Sequence, residues 1–381
     1  MPVIIHGVQF ISGATMGTDQ KIIERYLHCV DEIEAGHIFS PVSEYLENLR
    51  EKFYLNDLNP DINLIRRLLS TRIHLKIFAD IADNFESFLS PENTTINFLK
   101  AECLFVQGMI YYSKNQFQKG IYKFDLASKL YFVEGVTDRA LIANFNEYIG
   151  NLNCGFLNDN EEILRLEYLK MKSIEFSSDK SLALALRQLS YYYYSTKKSL
   201  VEALEHSRLS SSIFLKIRAM GDFQFAKLFE CFLLFKKNEH DLAKEIFDQV
   251  FSEFICEERV RFSYDLIRHL LYQCPMPILN QYSSPSAYWI ALANEVYDDI
   301  EVNKEFKQKK FPSFESQLIV ILSRSSASIN YLCELLWPGL ADKHQLWNRF
   351  YRLMNRTNKK NKIIGTNEKR EYFLLKSKKS N

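Results

Sequence analysis

The stretch LFVQGMIYYSKNQFQKGIYKFDLA, residues 104–127, decides the fold. Leu104, Gly108, Tyr111, Gly120, Phe124 and Ala127 recur at spacings of three and four or their multiples within each half, the period of a helix face. Asn115 sits at the turn between the halves. Gly108, Gly120 and Ala127 are small enough to let two antiparallel helices approach closely. Leu104, Tyr111 and Phe124 fill the space between them. The stretch reads as a helical hairpin.

Related hairpins recur along the chain. Leu186, Leu189, Ser190 and Tyr193 precede Ala203, and the turn Lys237-Asn238 precedes Ala243, Phe247 and Val250. The anchors Ala79, Gly120, Ala203 and Ala243 are 41, 83 and 40 residues apart, and a member near Glu161-Glu162-Ile163 completes a period of about 41. The hairpin at 104–127 resembles a tetratricopeptide repeat, with Gln107 where that family prefers leucine. Its period exceeds the ~34 residues of the standard repeat. It is similar to the longer-helix repeats of bacterial peptide-sensing regulators. The resemblance implies a mostly α chain whose residues 1–305 form a tetratricopeptide-like α-solenoid. Such a solenoid senses a peptide or protein ligand in its groove, or dimerises.

Composition agrees with long helices. Only 12 Gly and 9 Pro occur in 381 residues, while 47% of residues are hydrophobic. No apolar run approaches the ~18 residues of a membrane span, and no basic segment precedes Val3-Ile4-Ile5 as in a signal peptide. The seven cysteines, at 29, 103, 154, 231, 256, 274 and 333, lie singly. That pattern fits buried thiols in a reducing compartment. These features predict a cytoplasmic protein with no membrane segment.

Charge is split unevenly. Residues 343–381 hold 12 Lys/Arg against only Glu368 and Glu371, a balance of +10, while the other 342 residues hold 36 Lys/Arg against 45 Asp/Glu. Such asymmetry points to a polyanion partner for the basic end. After Phe311-Pro312-Ser313, with Ser313 a candidate N-cap, the pattern predicts three helices. They cover Phe314–Arg324, about Ala327 to Trp337, and a third that starts after the N-cap Asp342 and runs to about Lys360. In the third, Leu346, Phe350, Leu353 and Met354 form an apolar stripe, and Arg349, Arg352, Arg356 and Lys360 a basic one. Ile364, Thr366, Tyr372 and Leu374 then form two short extended arms. Leu335-Leu336-Trp337, the basic helix and these arms resemble the winged-helix domain of OmpR/PhoB-type regulators. The resemblance covers three helices plus a β-hairpin over 313–376. It implies double-stranded DNA as partner, with the third helix in the major groove and the hairpin near the minor groove or backbone. Its contact residues would be Asn348, Arg349, Arg352, Arg356, Lys359, Lys360, Lys369 and Arg370. The wing glycines of that family, its leading sheet and its receiver domain are absent here.

Other features of the chain admit a functional reading beside a plain one. The run Tyr191-Tyr192-Tyr193-Tyr194 fits either a peptide groove or the repeat core, and Asn144, Asn146 and Asn151 fit either a peptide clamp or a polar surface. Phe223, Phe225, Phe229, Phe232 and Phe235 cover more than one helix face, as a dimer surface or an inter-repeat contact would. No phosphate loop, nucleophile elbow, paired-carboxylate or metal-ligand spacing occurs. The sequence therefore predicts no catalysis, no cofactor and no metal. It predicts a homodimeric DNA-binding transcriptional regulator, similar to the repeat-containing peptide-sensing regulators with the domain order reversed. The alternative is a scaffold or adaptor that uses the repeats and the basic module for protein contacts.

Overall fold

The computed structural model describes residues 18–374 apart from 36–41, 48–59, 79–88, 254–259, 275–286, 297–317, 319–321, 323–325, 337–342, 362–363 and 368–370. Helices run over Thr18–Ala35 (α1), Pro60–Phe78 (α2), Asn97–Ser113 (α3), Phe117–Val133 (α4), Thr137–Asn153 (α5), Asp159–Glu175 (α6), Asp179–Ser195 (α7), Leu200–Lys216 (α8), Met220–Lys236 (α9), His240–Glu253 (α10), Arg261–Tyr272 (α11), Ala287–Val296 (α12), Ile329–Leu336 (α13) and Lys343–Asn361 (α14). A hairpin of Ile364–Thr366 (β1) and Tyr372–Leu374 (β2) follows. No helix among the described residues is long and apolar enough to cross a membrane. The chain divides into two compact units, Met1–Thr15 with Gln107–Lys307 and Met16–Val106 with Gln308–Asn381. Residues 313–376 thus fall in one unit with Met16–Val106.

The first unit is a stack of helices joined by near-identical turns. Each helix from α4 to α9 has 17 residues. Each turn places one residue in the left-handed region: Asn115, Gly135, Gly155, Ser177, Lys198, Arg218 and Asn238. In six of the seven, the amide after that residue donates back to the carbonyl five residues earlier, as in Val136 N to Tyr131 O at 2.9 Å and Ala219 N to Phe214 O at 2.9 Å. This closes the free carbonyls of each helix end and reverses the chain. Consequently α4, α6, α8 and α10 begin at 117, 159, 200 and 240, separations of 42, 41 and 40 that match the period read from the sequence.

The predicted anchors occupy one structural position. Gly120, Ala203 and Ala243 are each the fourth residue of their helix, and so is Glu162. Glu162 therefore stands where the other repeats have a small residue. It accepts a hydrogen bond from Tyr148 Oη at 3.1 Å, and burial raises its carboxyl above the usual range. Ala79 lies outside the described residues.

Small residues set the helix spacing elsewhere too. The Tyr112 ring lies edge-on to Phe117 and Phe124, and its hydroxyl donates to Asn146 O at 2.6 Å. A β-carbon on Gly150 would overlap that hydroxyl, and one on Gly120 the same ring. Further along, Ser190 Oγ donates to Ala203 O at 2.5 Å, Ser207 Oγ to Ala226 O at 3.0 Å and Ser210 Oγ to Ala183 O at 2.8 Å. Each ties two helices through a backbone carbonyl. Gly150→Ala is expected to destabilise the protein by about 1–3 kcal/mol, the usual cost of overpacking. Urea unfolding checks this; an unchanged midpoint would mean that Tyr112 simply swings away.

The second unit has its own core. Tyr26, Cys29, Val30 and Ile33 of α1 are buried, as are Leu64, Ile65, Leu68 and Leu69 of α2. Burial pushes the Cys29 thiol up to about 12. Glu102 is fully buried and held by Arg72 Nη2 and Tyr26 Oη. A charge so placed needs such partners. Leu318 and Leu322 are helical and buried. Ala327, expected at the start of the second C-terminal helix, instead forms an antiparallel bridge to Tyr372. Helix α13 starts two residues later, where Ser328 Oγ accepts from Tyr331 N at 3.2 Å. A serine hydroxyl that caps the first turn sets the boundary, so the helix cannot begin at Ala327.

Candidate functional site

The basic segment is positioned by the packing of α14. Phe350, Leu353, Met354 and Thr357 of this helix are buried, which is the spacing of one apolar face. Phe350 packs edge-on against Tyr372 of β2, ring centroids 4.9 Å apart. Asn358 ties the helix to the hairpin as a strand would. Its Nδ2 donates to Ile364 O at 3.1 Å, and its Oδ1 accepts from Ile364 N at 3.0 Å. Trp347 Nε1 donates to Asn330 Oδ1 of α13 at 3.4 Å. In the hairpin, Thr366 pairs with Tyr372 and Ile364 with Leu374, so the two expected arms are present. Asn367 and Glu371 close it: Glu371 N donates to Asn367 Oδ1 and Asn367 N to Glu371 O.

With that face buried, Arg349, Tyr351, Arg352 and Asn355 are exposed. Two of the predicted contact residues, Arg349 and Arg352, are thus on the solvent side of a helix locked from behind. Asn348, Arg356, Lys359 and Lys360 belong to α14, but their side chains lie outside the described residues, as does that of Leu346. Lys369 and Arg370 lie wholly outside them, as do Ser313 and Trp337.

In the repeats the tyrosine run is interior. Tyr191, Tyr192 and Tyr194 are buried and Tyr193 is half-buried. Tyr194 Oη donates to Glu295 at 2.6 Å and Tyr192 Oη to Asp159 O at 3.2 Å. Two of the three asparagines turn back on their own helices, Asn146 Nδ2 donating to Ile142 O and Asn151 Nδ2 to Glu147 O, and Asn144 is half-buried. The phenylalanines that could have formed a dimer face are inside as well: Phe223 is buried beside Phe214, and Phe229 and Phe232 are buried in a second core against which Phe225 and Phe235 pack. Three helices, α9, α11 and α12, converge there and consume the apolar excess.

A polar cluster in that core had no signal in the sequence. Arg187 Nη1 of α7 meets Asp222 Oδ1 of α9 at 2.8 Å, and its guanidinium lies over Phe214 and Phe225. Tyr191 stacks on Tyr288 with ring centroids 4.0 Å apart. The hydroxyls of Tyr191 and Tyr288, Trp289 Nε1 and Arg187 Nε are buried, and among the described residues they find no hydrogen-bond partner. Burial pushes the Tyr191 hydroxyl up to about 12, with Arg187 lowering it and Asp222 raising it by smaller amounts. An unmet buried polar group costs about 1–3 kcal/mol.

The chain matches no family model and no curated protein. Its backbone is similar to the apo form of RapI, at 15% identity and a TM-score of 0.30, over 90% of this chain and 98% of that one. So low a likeness carries no functional weight.

Proposed function

We propose that this chain is a cytoplasmic, non-catalytic regulator that binds double-stranded DNA through a C-terminal winged helix and takes a peptide or protein ligand in its helical repeats. The observation that carries the DNA reading is the solvent face of α14. Arg349 and Arg352 stand exposed there, while Phe350, Leu353 and Met354 hold the helix rigid from the other side. A winged helix is supported by the order of parts: the helical Leu318 and Leu322, a one-residue bridge at Ala327, α13, α14, and a hairpin whose second strand receives that bridge. The recognition helix of such a module lies in the major groove. The ligand reading is supported by the unmet polar atoms beside Arg187 and Asp222. The protein works as a homodimer, because two half-sites select a genomic site better than one small module does.

Salt titration of duplex binding by the whole protein tests the first part. With Z phosphates neutralised, log K should fall against log salt with a slope of about −0.9Z. Binding that is absent, or flat in salt, overturns it. In that case the adaptor reading takes its place, favoured by Tyr351, an exposed aromatic between Arg349 and Arg352. Arginine and tyrosine together are also the composition of protein interfaces.

A further inference from the structure

Helix α6 differs from the other outward helices of the repeats. From Glu162 to Ile174 its exposed residues are Leu164, Tyr168, Met171 and Ile174, and all four are apolar, at 71%, 44%, 54% and 61% exposure. Their spacing of four, three and three makes one stripe along the helix, about 15 Å long at 1.5 Å per residue. The corresponding face of α8 interleaves Val201, Leu209 and Leu215 with exposed Glu202, Glu205, Arg208, Ser212 and Lys216. The α6 stripe continues onto Phe176, which touches Phe132 of α4, and onto Val133. These seven side chains expose on the order of 700 Å², more than the largest apolar patch usual on a monomer, about 300–600 Å².

The charges beside the stripe suit a second copy of the same face. Glu167 flanks its first half, and Lys170 and Lys172 its second; all three are only partly exposed. With a two-fold axis perpendicular to α6, two copies of the helix run antiparallel, and residue i of one faces a residue near 339 − i of the other. Tyr168 then meets Met171 of the second copy, Leu164 reaches Ile174, and Glu167 lies opposite Lys172. The pattern is self-complementary in shape and in charge, as an isologous interface requires. A standard interface buries about 800 Å² per partner, close to what the patch offers.

We propose that the α6 face, with Leu164, Tyr168, Met171 and Ile174 at its centre, is the homodimer interface of this protein. The inference rests on the dimer reading above and says which surface builds it. Sedimentation velocity of the full chain at micromolar concentration tests it. Wild type is expected to be a dimer and Met171→Glu a monomer, with at least a tenfold rise in the dimer Kd. Glu167→Lys should weaken the dimer, and adding Lys172→Glu to it should restore it. That rescue is specific to antiparallel pairing, because within one chain Glu167 pairs with Lys170 and Lys172 with Glu175. All these positions are on the surface, so circular dichroism should be unchanged. A wild-type dimer that Met171→Glu leaves intact overturns the interface but not the dimer. A dimer disrupted by Met171→Glu in which the charge swap brings no rescue overturns the antiparallel arrangement. A wild-type monomer overturns dimer and interface together.

Discussion

Replacing Arg349 and Arg352 together by alanine is expected to lower duplex affinity by about thirtyfold or more while leaving the fold intact. A contact to a base edge is worth roughly 1–3 kcal/mol, so two removed together give a loss of about 2 kcal/mol or more. Both side chains are exposed, and surface changes of this kind usually move stability by less than about 0.5 kcal/mol. The pair can also be divided by role. Removing an arginine that neutralises a phosphate weakens all sequences alike and reduces the salt slope by about 1, whereas removing one that reads a base relaxes preference at one position. Binding isotherms of the single and double variants on several duplexes, at two salt concentrations, make the comparison. Affinity equal to wild type in the double variant would remove α14 from the DNA interface.

Phe350→Ala should do the opposite, destabilising the protein before it touches recognition. Phe350 is fully buried and packs α14 against the Tyr372 ring of the hairpin. Truncating a buried phenylalanine costs about 3–5 kcal/mol, part of it the cavity left behind. Denaturant unfolding, followed in the near-ultraviolet for Tyr372 and its neighbours, should show the midpoint fall by a large fraction of a typical domain's total stability. If DNA binding survives in conditions where the variant remains folded, the two faces of α14 are separable, as their burial requires. A variant as stable as wild type would mean that this face is not packed.

The helices and their spacing were legible in the residues because they are local properties. A helix face repeats every three or four residues, and the hairpin at 104–127 declared itself through small residues at 108, 120 and 127 and a turn at Asn115. The same holds for α14, whose apolar and basic stripes appear in one short segment, and for the β1–β2 hairpin. Even the 41-residue period was readable, because Gly120, Ala203 and Ala243 fall at one place in α4, α8 and α10. Its exception was not: Glu162 is tolerated there only because Tyr148, fourteen residues earlier, brings a hydroxyl to it.

Tertiary structure alone decided which apolar residues are inside. Phe229 and Phe232 look like a surplus in the sequence, yet α11 and α12 pack over them. Leu164, Tyr168, Met171 and Ile174 look like an ordinary core stripe, yet no helix among the described residues covers them. A single helix carries no information about how many neighbours it will have. The same reason hid the Arg187–Asp222 pair. Those residues are 35 apart in the chain, and they meet only because α7 and α9 are brought side by side by the two turns between them.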